Sequence, residues 1–409
     1  MRATLMTWEW RWKLRQHEVV TLDFSEVEFM EPWALAMFVS FALELRGAGV
    51  RVSPRLDPSN PSNRYLAAMD LPHVIETGTS TPRWDQSPQN TGLHVLRSHA
   101  EVSRFLESAA LVEGGPSEAA LNALRYGMAE LGRNVIQHSQ SATGGVAIAQ
   151  HFPELGALQV AICDAGQGVR NSLHRNYPEL RSDLESLKLA ILPHSSGAAP
   201  AGPYGSGENA GLGLFFCKEI CWRTGGSFWM ASGEALLGVK DNDSSGRGRI
   251  YRRINPWPGT LVAMHLPDRF VVEFDELMTV CRELSKQART NSAEAALDFV
   301  DERFEDERFE VPPGAIEIAV DPFLENVEKA REVRESQIHS ALQDGRLVVL
   351  DFGGARFVTQ SFAHALLYEA FKTPGSLTKL TFRRCTKSTE EALRLVAAYA
   401  KASYRQQEL

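Results

Sequence analysis

Glu130, Asn134 and His138 stand four residues apart in PSEAALNALRYGMAELGRNVIQHS, residues 116–139. The stretch reads as a helix, and that spacing puts all three side chains on one face. Apolar Leu131, Val135 and Ile136 crowd around them. A carboxylate and an amide so placed suit a base and a metal-bearing ligand. A second group follows the strand Leu158-Gln-Val-Ala-Ile-Cys, which ends in Asp164-Ala-Gly-Gln-Gly168. A carboxylate at the end of a buried strand can accept a hydrogen bond from an amine. The glycines Gly166 and Gly168 let a flat ligand lie against the backbone. In a third group, Gly205, Gly207, Gly211 and Gly213 precede an apolar helix, LGLFFCKEICWRT. Such a loop offers backbone N–H groups and a favourable dipole to phosphate oxygens. No G-K-[ST] closes it and no preceding strand fits the βαβ pattern, which excludes a Walker loop and a dinucleotide fingerprint. Pro258-Gly259-Thr260, ahead of the strand Leu261–Pro267, completes the set.

These residues need a frame of helices and strands. The two strands 145–152 and 158–163 are joined by a turn with Pro153 and Gly156. About residues 95–270 form a stretch of single-domain size. An internal similarity flanks it. Residues 19–33 (VVTLDFSEVEFMEPW) align without a gap to residues 347–361 (LVVLDFGGARFVTQS), at an offset of 328. Asp23/Asp351, Phe24/Phe352 and Phe29/Phe357 are identical in the two. Each copy predicts a strand followed by a helix. The first helix begins at Pro32 and runs to about Leu45, and the second runs from about Ser361, as N-cap, to Phe371. A further strand follows each. Residues 74–92, rich in Thr, Ser, Pro and Gly, read as a linker. Residues 268–296 read as charged helix, and the Asp/Glu-Glu-Arg-Phe repeat within 298–314 as a solvated helix end or linker, broken by Pro312-Pro313-Gly314. The expected division is a first domain over 1–85, a central one over 95–270, a linker over 271–313 and a last domain over 314–409.

Composition bounds the function. The 409 residues are 44% apolar and 23% charged, which excludes a disordered chain, a collagen-like fibre and a coiled coil. With 51 acidic and 43 basic side chains the net charge is −8, so the chain has no global attraction to nucleic acid or anionic membrane. Five cysteines point away from a disulfide framework and toward a reducing compartment. No apolar run reaches the roughly 18 residues of a membrane span. The N-terminus, charged throughout, does not read as an export signal. There Trp8, Trp10 and Trp12 alternate with charges, a strand pattern that places three rings on one face, packed on a core or presented as an aromatic docking surface.

In their order and intervals the four motifs resemble the GHKL ATPase superfamily, which includes gyrase B, Hsp90, MutL, sensor histidine kinases and anti-sigma-factor kinases. Glu130 and Asn134 match its N box, and Asp164, Gly166 and Gly168 its D-x-G-x-G box. Gly211, Gly213 and Leu214 match its G-x-G-L box, and Gly259-Thr260 its last Gly-Thr element. The resemblance implies an α/β fold with a central two-layer GHKL sandwich over 95–270. It implies ATP and Mg²⁺ as cofactors. Asp164 would hold the adenine amine with support from Thr260, and Asn134 would coordinate the Mg²⁺. Gly207, Gly211, Gly213 and Leu214 would lie by the phosphates, under a lid of residues 170–210. His138 falls at a position often occupied by His in the family. Glu130 would be the base that activates the attacking hydroxyl or water. Arg170, Arg175, Arg181 and Lys188 are the lid cations within reach of a γ-phosphate. His99, in RSHAEVSRF, lacks the H-E-x-[RK]-x-P pattern of a phospho-accepting histidine and reads as an ordinary helix residue.

The flanking copies resemble STAS-like domains, the fold of anti-sigma-factor antagonists, and the C-terminal one resembles a STAS-like family of unknown function. The N-terminal copy has Glu31-Pro32-Trp33 where the antagonists carry a phospho-accepting Ser, and the C-terminal copy has Thr359-Gln360-Ser361. Cys217 and Cys221, at i and i+4, and Cys163 read as small core residues. Residues 240–249 read as a hairpin tip without the spacing of a calcium loop. The expected protein is a cytoplasmic ATP- and Mg²⁺-binding switch with protein partners on its STAS-like arms and a possible homodimer. It acts as a Ser/Thr kinase of the anti-sigma type, as an ATPase that moves the arms, or as a nucleotide-gated interaction module without turnover. A DNA-acting machine like gyrase B is disfavoured, because the usual transducer domain is not recognisable after residue 270 and the net charge is negative.

Overall fold

The computed structural model describes residues 14–80, 89–112, 115–174, 177–178, 180, 182–193, 211–240, 250–287, 297–300, 311–320, 326–355, 357–373, 376 and 379–407. Outside the described residues lie Trp8, Trp10, Trp12, Gly205, Gly207, Arg175, Arg181, residues 241–249 of the hairpin tip and residues 301–310 of the charged repeat. The chain is mixed α/β and divides into two compact units. One comprises Met1–Ile191 and Cys217–Val271, the other Leu192–Phe216 and Val272–Leu409. Among the described residues, no helix is long and apolar enough to cross a membrane.

The first unit begins with β1 (Val19–Asp23), α1 (Pro32–Gly47) and β2 (Arg51–Arg55), a parallel βαβ. It continues through α2 (Pro61–Ala68), α3 (Leu71–Thr77), β3 (His94–Leu96), α4 (His99–Glu107) and α5 (Glu118–Asn134). Then come β4 (Gly145–Phe152), β5 (Ala157–Asp164), α6 (Gly168–His174) and α7 (Asp183–Ala190). After α8 (Gly213–Arg223), counted here from Cys217 on, β6 (Ser227–Lys240) and β7 (Ile250–Pro267) finish an antiparallel sheet of order β3-β4-β5-β7-β6. The presumed linker over 74–92 is shorter than its composition suggested. Val74 and Ile75 are buried in α3. At the other end Thr91 exchanges hydrogen bonds with Ala149 of β4, so its polar groups are satisfied inside the unit.

Both faces of this sheet are covered. On one, Val160 of β5 and Met264 of β7 meet α5 at Gly127, where a Cβ would fall 2.6 Å from the Met264 sulfur. On the other, Ala161, Cys163, Leu261 and Ala263 join a single core with α1 of the N-terminal βαβ. Strand β5, covered on both sides, is accordingly buried from Leu158 to its end. Helix α1 is buried nearly all round, from Trp33 to Leu45, as a helix between two layers must be. Among the described residues that core holds 32 buried apolar side chains, and the burial of each large one contributes ~2 kcal/mol.

The second unit carries α9 (Phe274–Gln287), β8 (Asp298–Val300), β9 (Ile316–Ala319), α10 (Val327–Val333), α11 (Ser340–Gln343), β10 (Val348–Asp351), α12 (Gln360–Lys372), β11 (Leu380–Arg383) and α13 (Lys387–Gln407). A π-helical turn, Arg334–His339, links α10 to α11. The sheet is all parallel, in the order β8-β11-β10-β9. Helices α10, α12, α13 and α9 pack neighbour on neighbour in the matching order.

The internal similarity extends to matching backbone bonds. Asp23 pairs in register with Arg55, and Asp351 with Arg383, at the same 328-residue offset. The Asp23 carboxylate accepts from Ser25 N–H at 2.9 Å, and that of Asp351 from Gly353 N–H at 2.9 Å. Phe24 N–H donates to Arg55 O and Phe352 N–H to Arg383 O. The helix start differs from expectation. Thr359 is the N-cap of α12, its hydroxyl accepting from Phe362 N–H at 3.2 Å, and Ser361 lies inside the first turn. Its counterpart Glu31 makes no side-chain cap, and Pro32 sets the start instead.

Candidate functional site

The Asp164 turn sits where β5 runs out of the sheet, and it is held by three other elements of the first unit. Asp164 is 4% exposed. Its Oδ1 accepts from Gly166 N–H at 2.8 Å, and Thr260 N–H also donates to the carboxylate. Burial pushes its pKa up to about 7, against the pull of those two bonds. Its main-chain oxygen accepts from Trp257 Nε1 at 2.9 Å. Behind it, the Cys163 thiol is raised by burial and by the Asp164 charge.

The glycines are sterically required. A Cβ on Gly166 would overlap Ser139 O, and one on Gly259 would overlap Asp164 O and come within 2.5 Å of its Oδ1. Gly168 has φ +75°, and a Cβ there would lie 2.8 Å from Ser232 Oγ. Ser232 is the hub sequence reasoning missed. Its hydroxyl accepts from Val169 N–H at 3.0 Å and donates to Gly259 O at 2.8 Å, joining α6 to the Gly-Thr element. Ser232 is paired with Thr260 across β6 and β7, just before a register shift at Gly233. Trp257, within WPGT, was the other omission. A serine followed by glycine in an otherwise apolar strand is the one sequence signal that could have marked the hub.

The helix with the first motif reaches the same place. Ser117 caps α5, accepting from Ala120 N–H at 3.2 Å. The helix was expected to run to Ser139 and to carry Glu130, Asn134 and His138 on one face. It turns π-helical at Val135–Ser139, so the 3.6-residue phase breaks between Asn134 and His138. The π turn's end is stitched to the Asp164 turn. Gln167 N–H donates to Ser139 O at 2.7 Å, and Gln167 Nε2 donates to His138 O at 2.6 Å. Burial lowers the pKa of His138. Asn134, the last residue of α5, is partly exposed.

Glu130 is 1% exposed, and its Oε2 lies 3.1 Å from Nη1 of Arg133, itself 1% exposed. The pair faces Cys217 of α8, whose thiol is pushed up by burial and by the Glu130 charge. An arginine one helical turn away reads from sequence as a solvated residue, and this one is not.

The expected lid contains packed structure. Ser182 and Glu185 form a capping box that starts α7. The Asp183 carboxylate accepts from Glu234 N–H at 2.9 Å, and α7 packs along β6. Arg170 donates to Leu180 O at 3.4 Å, and Lys188 lies in α7. Gly211 has φ +63°, Gly213 begins α8, and Leu214 is half-buried. These three fall in the stretch counted with the second unit. Among the described residues, no group of three or more His, Cys, Asp or Glu side chains is placed to hold a metal ion.

The chemistry open to this arrangement is recognition of a hydrogen-bond donor by a buried carboxylate, in a turn that Gly166 and Gly259 let pack closely against Ser139 and Asp164. No family model, curated protein or solved structure matches the chain.

Proposed function

We propose that the first unit is a GHKL-type nucleotide site that binds the adenine of ATP at Asp164. The observation that carries this reading is the buried Asp164 carboxylate, wedged by Gly166 and Gly259 where no side chain fits. A buried ionised carboxylate is costly without partners, and an amine donor from a ligand would supply one. Thr260 supports the carboxylate through its N–H. Asn134, with its amide at the helix end, would hold Mg²⁺ together with phosphate oxygens, and the ion would neutralise phosphate charge when bound. Gly207, Gly211, Gly213 and Leu214 keep the phosphate role that the motif gives them. The STAS-like portions would bind protein partners in the cytoplasm.

Two mechanisms share this site. In the catalytic one, Glu130 takes a proton from a Ser/Thr hydroxyl of a STAS-like partner or from water. In the other, nucleotide binding alone gates partner binding. The burial of Glu130 against Arg133 favours the second, because a carboxylate so enclosed is not accessible to a substrate hydroxyl or an attacking water. Incubation with γ-labelled ATP separates them. Label on protein supports a kinase, free phosphate supports an ATPase, and neither, with ATP bound, supports the gate. Normal ATP binding by Asp164→Asn would sink the whole assignment.

A further inference from the structure

The loop between β1 and α1 holds an aromatic side chain out in solvent. Phe29 is 65% exposed, and its ring lies against Phe152 of β4 with the centroids 6.5 Å apart. Leu155, on the turn that follows β4, is 72% exposed. A loose loop could fold Phe29 inward, but the start of α2 pins this one by its carbonyls. Asn63 Nδ2 donates to Phe24 O at 2.8 Å, and Asn60 Nδ2 donates to Ser25 O at 2.9 Å and to Val27 O at 3.2 Å. The Ser62 hydroxyl donates to Glu28 O. The exposure of Phe29 is therefore built into the fold, and grouped apolar side chains kept in water mark an interaction surface. Glu26, Glu28 and Glu154 are exposed in the same two loops, and neither loop, 24–31 or 152–156, contains a Lys or Arg.

The C-terminal copy shows what covers this position. Its equivalent residue is Phe357, after the same turn: Ala355 N–H donates to Phe352 O at 2.9 Å, as Val27 N–H does to Phe24 O. Phe357 packs edge-on against Phe274, the first residue of α9, with centroids 6.0 Å apart. Helix α9 is amphipathic and buries Phe274, Leu277, Met278 and Cys281 along one stripe. The charges of the two copies are opposed. Arg356 stands in the sequence where the first copy has Glu28, and α9 opens with Asp275 and Glu276. A helix suited to the first copy would keep the stripe and carry the opposite charge.

We propose that Phe29, Phe152 and Leu155 form a docking surface for an amphipathic helix of a protein partner, one with an aromatic anchor followed by lysine or arginine. The proposal rests on the reading that the STAS-like portions bind protein partners, gives that reading a definite surface on the first copy, and does not depend on the nucleotide site.

The probe is a synthetic peptide of residues 274–287 carrying Asp275→Lys, Glu276→Lys and Glu283→Lys, and the control is the same peptide with its acidic residues kept. Cys281→Ala is present in both. Each is fluorescently labelled, and the full chain is titrated into it and followed by anisotropy. The expected result is saturable binding of the lysine peptide, with the acidic control at least tenfold weaker. Phe29→Ser and Leu155→Ser should each weaken the lysine peptide at least tenfold while the melting curve stays that of wild type, because both side chains are exposed. Glu28→Lys should narrow or reverse the preference between the two peptides. Absence of saturable binding, or the acidic control binding as tightly as the lysine peptide, would overturn the proposal. So would unchanged affinity in folded Phe29→Ser or Leu155→Ser protein, an outcome that leaves partner binding intact but places it on another surface.

Discussion

Replacing Asp164 by Asn should make the ligand-free protein more stable while destroying its nucleotide affinity. The magnitude follows from the carboxyl's burial. Its pKa is about 7 in the folded protein against 3.8 for the free side chain. At 1.36 kcal/mol per unit, this corresponds to a penalty of roughly 4 kcal/mol, fully present above pH 7. The sign is that of a raised acid. Below about pH 3.8 both folded and unfolded forms are protonated and the penalty is nil. It grows as pH rises toward 7. Asn removes the charge but accepts one hydrogen bond where the carboxylate takes two, from Gly166 and Thr260, at a loss of ~1 kcal/mol or somewhat more. The net gain is roughly 2–3 kcal/mol at pH 8 and close to nothing near pH 5. Urea unfolding of wild type and Asp164→Asn at the two pH values measures it. A variant less stable than wild type at pH 8, or a stability difference independent of pH, would refute the reasoning.

Wild-type ATP affinity should fall on acidification through pH 7, approaching tenfold per unit as Asp164 protonates, and isothermal titration from pH 8 to 5.5 checks this. Gly166→Ala and Gly259→Ala force a methyl against main-chain oxygens of Ser139 and Asp164, so each should cost at least ~2 kcal/mol or block folding, read by thermal melts. Arg133→Ala removes the guanidinium beside the buried Glu130 carboxylate and should cost about 3–5 kcal/mol, whereas Glu130→Gln/Arg133→Met together should recover most of it in denaturant melts. Thr359→Ala should cost ~1 kcal/mol through the lost α12 cap, and Ser361→Ala should have a smaller effect.

The parts of the fold most legible in sequence were those written in local pattern. The Asp-Phe strand ends of the two copies and the D-x-G-x-G turn after β5 lie where the alternation and the glycines placed them. What sequence missed was set by tertiary partners. Pro32–Gly47 reads as a helix, yet nothing local says that its second apolar side faces Cys163 and Ala161 of another sheet. The π turn at Val135–Ser139 leaves no compositional mark. Arg133 and Ser232 carry polar side chains that a single sequence assigns to solvent, and both are buried because a specific acceptor or donor meets them. Thr359 was passed over for Ser361 because both can cap, and the choice depends on which residue stays extended before the helix.

The double cover of the central sheet has a consequence for synthesis. Helix α1 leaves the ribosome early, with apolar side chains on nearly every side. Strand β7, one of the surfaces that buries it, is completed about two hundred residues later, a wait of roughly 10–40 s at cellular elongation rates. Through that interval the nascent chain must keep a helix-length apolar segment from aggregating. The N-terminal copy is therefore a natural client for a holdase, and slow codons before β7 should lower the yield of folded protein more than slow codons after it.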